Sequence, residues 1–111
     1  HSLCLEPRER AAADYLRGMG ASGLGVEAAA RTAAVLSTGA EGAIPLKEGY
    51  AAAMAAQNTS YACVEKNIRS MVGKLQAGAC GEYQALMGGL PAERPSNELF
   101  LRRLARRILE W

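Results

Sequence analysis

The chain is poor in the residues that most often carry catalysis or bind metals. It contains one histidine, His1, and one aspartate, Asp14, among 111 residues. A single histidine leaves no partner for a His-based catalytic dyad or a histidine-rich metal site. The stretch GASGLG superficially resembles a phosphate loop, but it follows a predicted helix instead of a strand and lacks the Lys-Ser/Thr ending. We therefore expect a non-enzymatic protein with no cofactor and no metal.

Cysteines, aromatic residues and strand-like runs are also scarce. The three cysteines are odd in number and widely spaced, which favours reduced thiols in a cytoplasm over a disulfide framework. No apolar run is long enough to span a bilayer, and the N-terminus has no signal-peptide pattern. Only 5% of the residues are aromatic, and alternating runs of Val, Ile and Thr are absent. We expect an all-α protein with no membrane partner.

Hydrophobic residues make up 50% of the chain, and much of this fraction is alanine. Alanine is the best helix former and has a small side chain, so the composition favours thin, closely packed helices. The pattern predicts one compact domain over residues 1–111 with about six helices. They correspond to RERAAADYLRGMG, VEAAARTAAVLS, KEGYAAAMAAQ, the segment from about Ser60 to Leu75, ACGEYQALMGG and NELFLRRLARRILEW. Because the chain begins at His1 and not at a methionine, we also expect a fragment of a longer chain.

The charge is unevenly distributed along the chain. The formal net charge of +2 is below what a dedicated nucleic-acid domain usually carries. Through residue 60 there are five Lys and Arg against six Asp and Glu, whereas from residue 61 onward there are eight against five. The basic excess therefore lies in the half that contains the strongly amphipathic helices.

The segment from about residue 49 to residue 75 has the pattern of a helix-turn-helix. A polar step, Asn58-Thr59-Ser60, separates two predicted helices. Asn tolerates the left-handed backbone region better than most residues, and Ser60 or Thr59 can cap the helix that follows. At about 100° per residue, one face of that helix is apolar, and it consists of Val64, Ile68, Met71 and Leu75. The opposite face carries Ala62, Lys66, Arg69 and Gly73, flanked by Glu65 and Ser70.

This outer face has the chemistry needed to read base edges. In a helix-turn-helix the second helix lies in the major groove, and its N-terminal half contacts the bases. Lys and Arg can donate to guanine O6 and N7, and Glu can accept from cytosine N4. A solvated helix face in a protein-interaction domain shows the same pattern, so double-stranded DNA and a protein partner both remain open on these residues alone.

The segment GYAAAMAAQNTSYACVEKNIRSMVGKL resembles the helix-turn-helix of the C-terminal effector domain of the stage zero sporulation response regulator family. That family has a Tyr-Pro-x-Ile-Ala start, an Asn-Thr-Thr turn and a Val-Glu-Arg-x-Ile-Arg recognition helix. The matching positions are Tyr50, Asn58, Thr59, Val64, Glu65, Ile68 and Arg69, with Lys66 in place of an Arg. Farther along, LMGG is similar to the family's Leu-Phe-Gly-Tyr, and Pro95, Asn97 and Phe100 match the lead into its last helix.

The resemblance implies a helical domain that binds DNA and regulates transcription in a bacterial cytoplasm. It also implies a receiver domain in the same parent chain, pairs of domains on DNA and contact with RNA polymerase. The residues that it places on DNA are Glu65, Lys66 and Arg69. From their positions on the same face and in the loop before the last helix, we add Ser60, Ala62, Ser70 and Arg94 to the expected DNA-binding residues. The sequence departs from the family at Cys63 and Tyr61, where the family has Arg and Pro. A helical protein-interaction domain that has lost DNA binding is therefore the alternative.

The last predicted helix carries a second basic group. Arg102, Arg103, Arg106 and Arg107 flank its outer side, while Phe100, Leu104, Ile108 and Trp111 form its predicted inner stripe. The arginines are suited to form a ridge that contacts phosphates or a docking partner. Their contribution to DNA affinity would depend on the salt concentration and not on the base sequence. They equally suit a solvated face whose cations lie near the favourable C-terminal end of the helix dipole.

Overall fold

The protein folds into six α-helices. The computed structural model describes residues 4–111 and shows no strand among them. The helices are α1 (Pro7–Gly18), α2 (Leu24–Leu36), α3 (Leu46–Gln57), α4 (Tyr61–Gly78), α5 (Gly81–Met87) and α6 (Asn97–Leu109). The radius of gyration of 12.6 Å is that of one globule of this length. The predicted all-α class with about six helices is confirmed, and His1 lies outside the described residues.

Helix α2 is the central element of the fold. It packs against α1, α3, α4 and α6, and four of its five alanines are completely buried: Ala28, Ala29, Ala30 and Ala33. Short side chains on several faces of one helix let four neighbours approach it closely, because little volume separates the backbones. The alanine-rich composition thus becomes a core built around a thin helix.

Two glycines mark the closest approaches around α2. A Cβ on Gly25, in α2, would lie 2.6 Å from the carbonyl oxygen of Asn67 in α4. A Cβ on Gly49, in α3, would lie 2.7 Å from Cγ2 of Thr32 in α2. Thr32 Oγ1 also donates a 3.3 Å hydrogen bond to the Gly49 carbonyl. Both helices of the predicted helix-turn-helix therefore rest on α2 at positions where only glycine fits.

The C-terminal end of the chain differs from the prediction. Phe100, Leu104 and Ile108 are buried as expected, but Trp111 follows the end of α6 and is 53% exposed. Its ring packs edge-on against Tyr15 of α1, with centroids 5.3 Å apart. The assignment of Trp111 to the inner stripe was wrong, because α6 ends at Leu109 and the last residues leave the helical register.

Candidate nucleic-acid interface

The turn between α3 and α4 has the predicted backbone geometry. Asn58 adopts the left-handed conformation, with φ 51° and ψ 53°, and the Thr59 N–H donates to the Met54 carbonyl at 3.1 Å. Of the two candidate caps, Ser60 fills the position, since its hydroxyl accepts from the Cys63 N–H at 3.2 Å. These three residues fix the direction in which α4 leaves the turn.

Helix α4 docks through the predicted apolar stripe. Val64, Ile68, Met71 and Leu75 are buried, and Val72 joins them. The helix extends to Gly78, past the predicted end at about Leu75, and it stops where Ala79 adopts a left-handed conformation with φ 52°. The buried stripe leaves the opposite face of an 18-residue helix in solvent.

The predicted contact residues on that face are accessible. Ser60, Ala62, Lys66, Arg69, Ser70 and Arg94 are all exposed, and Glu65 is half-buried. Within the described part of the chain, the Lys66 ammonium forms no ion pair or hydrogen bond. A long cation without a partner, beside the short side chain of Ala62, can extend into a groove without breaking an existing contact.

Glu65 and Arg69 interact with each other. Arg69 Nη1 donates to both carboxylate oxygens of Glu65 at 2.7 Å. The spacing of four residues on one helix allows this pair, and the side chains of Arg69 and Glu65 are 43% and 37% exposed. A solvent-exposed pair of this kind contributes roughly 0.3–0.5 kcal/mol, so either side chain can be released to a stronger partner. In the free protein, Lys66 is thus the more available cation.

A buried amide fixes the position of the α4 N-terminal half. Asn97, the first residue of α6, lies 9% exposed, and its Nδ2 donates to the Glu65 carbonyl at 3.0 Å and to the Tyr50 hydroxyl at 3.1 Å. Burial raises the pKa of the Tyr50 hydroxyl, while the Asn97 hydrogen bond acts in the opposite direction. One side chain thereby joins α3, α4 and α6. The neighbouring Ser96 caps α6, since its hydroxyl accepts from the Leu99 N–H at 3.1 Å.

Arg94 lies beside α4, although the loop before α6 carries it. Its Cδ is 3.5 Å from the place that a Cβ on Gly73 would occupy. The aliphatic part of Arg94 therefore lies along the outer face of α4 at Gly73, at a distance where a Cβ would make ordinary van der Waals contact. The structure therefore brings a distant cation to the same helix as Lys66 and Arg69.

A further cation borders this face and was missed in the sequence. Lys74 is exposed and lies one turn beyond Ser70. Both line a depression of about 190 Å³ between α4 and residues 21–25, which lead into α2 and form its first residues. Asn67 lines the same depression. Lys74 lies four residues after Ser70 and therefore on the same side of α4, which the sequence already indicated. That this side faces the start of α2 depends on the tertiary structure.

Comparison of the chain with models of protein families, with curated proteins and with solved structures finds no match. The resemblance to the sporulation effector domains therefore stays a prediction. Within residues 4–111 there is no cluster of three or more His, Cys, Asp or Glu able to hold a metal ion. Nor does any helix described there combine the length and apolar character needed to cross a membrane.

Proposed function

We propose that this chain is a sequence-specific DNA-binding domain of a bacterial transcription regulator. In this proposal α4 enters the major groove, Lys66 and Arg69 donate to base edges or phosphates, and Glu65 accepts from cytosine. Ser60, Ser70 and Arg94 contact the sugar-phosphate backbone and fix the register. The short side chain of Ala62 lets the longer side chains of Lys66 and Arg69 project beyond it.

One observation carries the proposal. The outer face of α4 is open from Ala62 to Ser70, while its inner stripe and the Asn97 hydrogen bonds hold the helix in one position. A recognition helix needs both properties, because a base contact depends on placement to within a fraction of an ångström and on freedom from competing intramolecular contacts. The left-handed turn at Asn58 adds the tight connection typical of the motif.

The resemblance supplies the finer parts of the same proposal. These are a cytoplasmic response regulator of the sporulation type, a receiver domain in the parent chain, a second copy bound beside the first on DNA, and contact with RNA polymerase. Cys63 and Tyr61, which replace the family's Arg and Pro, imply a preferred DNA sequence different from that of the family.

A salt titration of duplex binding tests the proposal. We expect the affinity for mixed-sequence DNA to fall steeply with salt, and a selected site to be preferred over it. Replacing Lys66 and Arg69 together with alanine should reduce affinity for the selected site by about 2–4 kcal/mol and remove the preference. Fluorescence anisotropy with labelled duplexes measures both quantities.

The control removes two cations elsewhere. Arg8 and Arg10 are exposed on α1, and replacing both with alanine changes the net charge by the same amount. This variant should retain the site preference and nearly all of the affinity. If no duplex binds the wild-type chain at low ionic strength, the DNA proposal is wrong and the protein-interaction alternative takes its place.

The Glu65–Arg69 pair leads to a separate prediction. Glu65→Gln removes a negative charge from the interface and frees Arg69. We expect affinity for mixed-sequence DNA to rise several-fold, with the slope of log K against log salt steeper by about one. Discrimination among sites should fall at the base pair that Glu65 reads. An unchanged salt slope would show that Arg69 is not held back by Glu65. Glu98→Gln, which frees Arg102 on α6 in the same way, is the matched control.

A further inference from the structure

The four arginines of α6 are not equivalent. Arg102 pairs with Glu98 at 3.2 Å. Arg107 pairs with Glu110 at 3.3 Å, donates to the Tyr15 hydroxyl and lies over the Tyr15 ring. The guanidinium groups of these two arginines are therefore occupied by contacts within the protein. The predicted ridge of four therefore contains two cations with structural roles.

The other two arginines have no anionic partner. Within the described residues, neither Arg103 nor Arg106 takes part in an ion pair or a hydrogen bond. They lie three residues apart on one helix, where like charges repel and slightly destabilise the helix. An external anion that neutralises both would relieve this repulsion.

Arg106 lies where three depressions meet. It lines an apolar pocket of about 40 Å³ between α6 and the end of α2, to which Leu36, Ala105 and Leu109 contribute. It also lines a shallow groove with Leu99 and Arg103, and a polar cleft of about 180 Å³ beside α5. The three depressions share Arg106 as a lining residue, and we call them together the α6 groove. Leu99 and Leu109 border it and are 47% and 54% exposed.

We propose that the α6 groove binds an acidic polypeptide segment, an amphipathic helix with acidic residues beside an aliphatic anchor. The carboxylates would pair with Arg103 and Arg106, for which guanidinium groups offer a planar, bidentate geometry. The aliphatic side chain would enter the apolar pocket, whose volume admits a small branched group. This is a second surface, separate from the outer face of α4.

The chemistry of the groove favours a polypeptide over a nucleic acid. A phosphate backbone has no aliphatic group to place between Leu36, Ala105 and Leu109. Glu41 lines both the apolar pocket and the shallow groove, and it would repel closely spaced phosphates. An acidic helix can direct its carboxylates to α6 and keep them away from Glu41, since its charges lie on one side.

Designed peptides test the proposal on the intact chain. The probe is a fluorescently labelled helical peptide of about 16 residues, with a leucine stripe flanked by glutamates. We expect it to bind with an affinity that falls with salt. Arg103→Gln with Arg106→Gln should weaken binding by at least about tenfold. Lys66→Gln with Lys74→Gln, which removes the same charge from α4, should leave peptide binding nearly unchanged.

A second pair of variants tests the apolar part of the groove. Leu109→Gln should weaken peptide binding, whereas Leu24→Gln, at a similarly exposed leucine in α2, should not. A peptide with alanine in place of leucine, and one with glutamine in place of glutamate, should each bind more weakly. Circular dichroism confirms that every variant is folded.

Three results would overturn the proposal. The first is the absence of binding by the acidic leucine peptide at low salt. The second is equal binding of the alanine peptide, which would leave only non-specific charge attraction. The third is loss of DNA affinity, and not of peptide affinity, in the Arg103 and Arg106 variant, which would make the groove a phosphate contact. Because the α4 control variant is measured against both DNA and peptide, failure at this surface is distinguishable from failure of the DNA proposal.

Discussion

Replacing Gly25 with alanine should destabilise the protein, although alanine is the better helix former. The added Cβ would lie 2.6 Å from the Asn67 carbonyl oxygen and 3.2 Å from the Met71 Cβ. The first of these atoms is backbone and cannot rotate away. Overpacking costs about 1–3 kcal/mol, and a 2.6 Å overlap with backbone lies at the upper end of that range. The opposing helix-propensity gain is at most about 1 kcal/mol. We expect a net loss of about 1–2 kcal/mol, measured from the midpoint and slope of urea unfolding.

Gly18 provides the matched control. It lies at the end of α1, and a Cβ there would meet no atom within 4 Å. Gly18→Ala should therefore leave stability unchanged or raise it by up to about 0.5 kcal/mol. If Gly25→Ala were as stable as wild type, α2 and α4 would not approach each other as closely as the structure shows.

Gly25→Ala should also weaken the proposed DNA binding. Relief of the overlap requires α4 to move away from α2, and this movement displaces the face that carries Lys66. We expect weaker binding to the selected DNA site, even under conditions where the variant is fully folded. Affinity for mixed-sequence DNA should change less, because phosphate contacts tolerate displacement better than base contacts do.

Replacing Asn97 with alanine should have an effect at least as large. The substitution removes hydrogen bonds to the Tyr50 hydroxyl and the Glu65 carbonyl at a buried junction of three helices. The Tyr50 hydroxyl would be left without a partner at a buried site, which costs about 1–3 kcal/mol, while the Glu65 carbonyl would keep only its bond within α4. We expect a total loss of about 2–3 kcal/mol, which thermal unfolding would show as a drop in Tm of roughly 10–20 °C.

Asn67→Ala serves as the comparison for this substitution. Asn67 is half-buried in α4, and its amide contacts the Cys63 sulfur at 3.7 Å, a weak interaction. Its loss should cost less than about 0.5 kcal/mol. Equal effects at Asn67 and Asn97 would contradict the role of Asn97 as the link between α3, α4 and α6.

The local features of the helix-turn-helix were predictable because they depend on neighbours in the chain. The left-handed Asn58, the cap at residues 59–60 and the apolar stripe of α4 follow from backbone preference and helical period. Helix ends were less predictable. The apolar pattern stops at Leu75, but nothing breaks the helix until Ala79, and Trp111 lies beyond the last turn of α6.

The arrangement of the site depended on contacts between distant residues. Gly73 and Arg94 are separated by 21 positions in the chain, so their proximity on α4 has no signal in local spacing. The same holds for Asn97, whose partners lie on two other helices. The different roles of Arg103 and Arg107 also depend on which of them faces Tyr15 and α5.

By itself, the sequence determined the helices, the turn and the polarity of each helix face, because these properties arise from interactions within a few residues. The tertiary structure alone decided that α2 lies at the centre, that α4 and α3 contact it through glycines, and which cations remain without partners. Packing makes these choices, since the free energy of a close contact or a buried hydrogen bond depends on atoms that distant parts of the chain bring together.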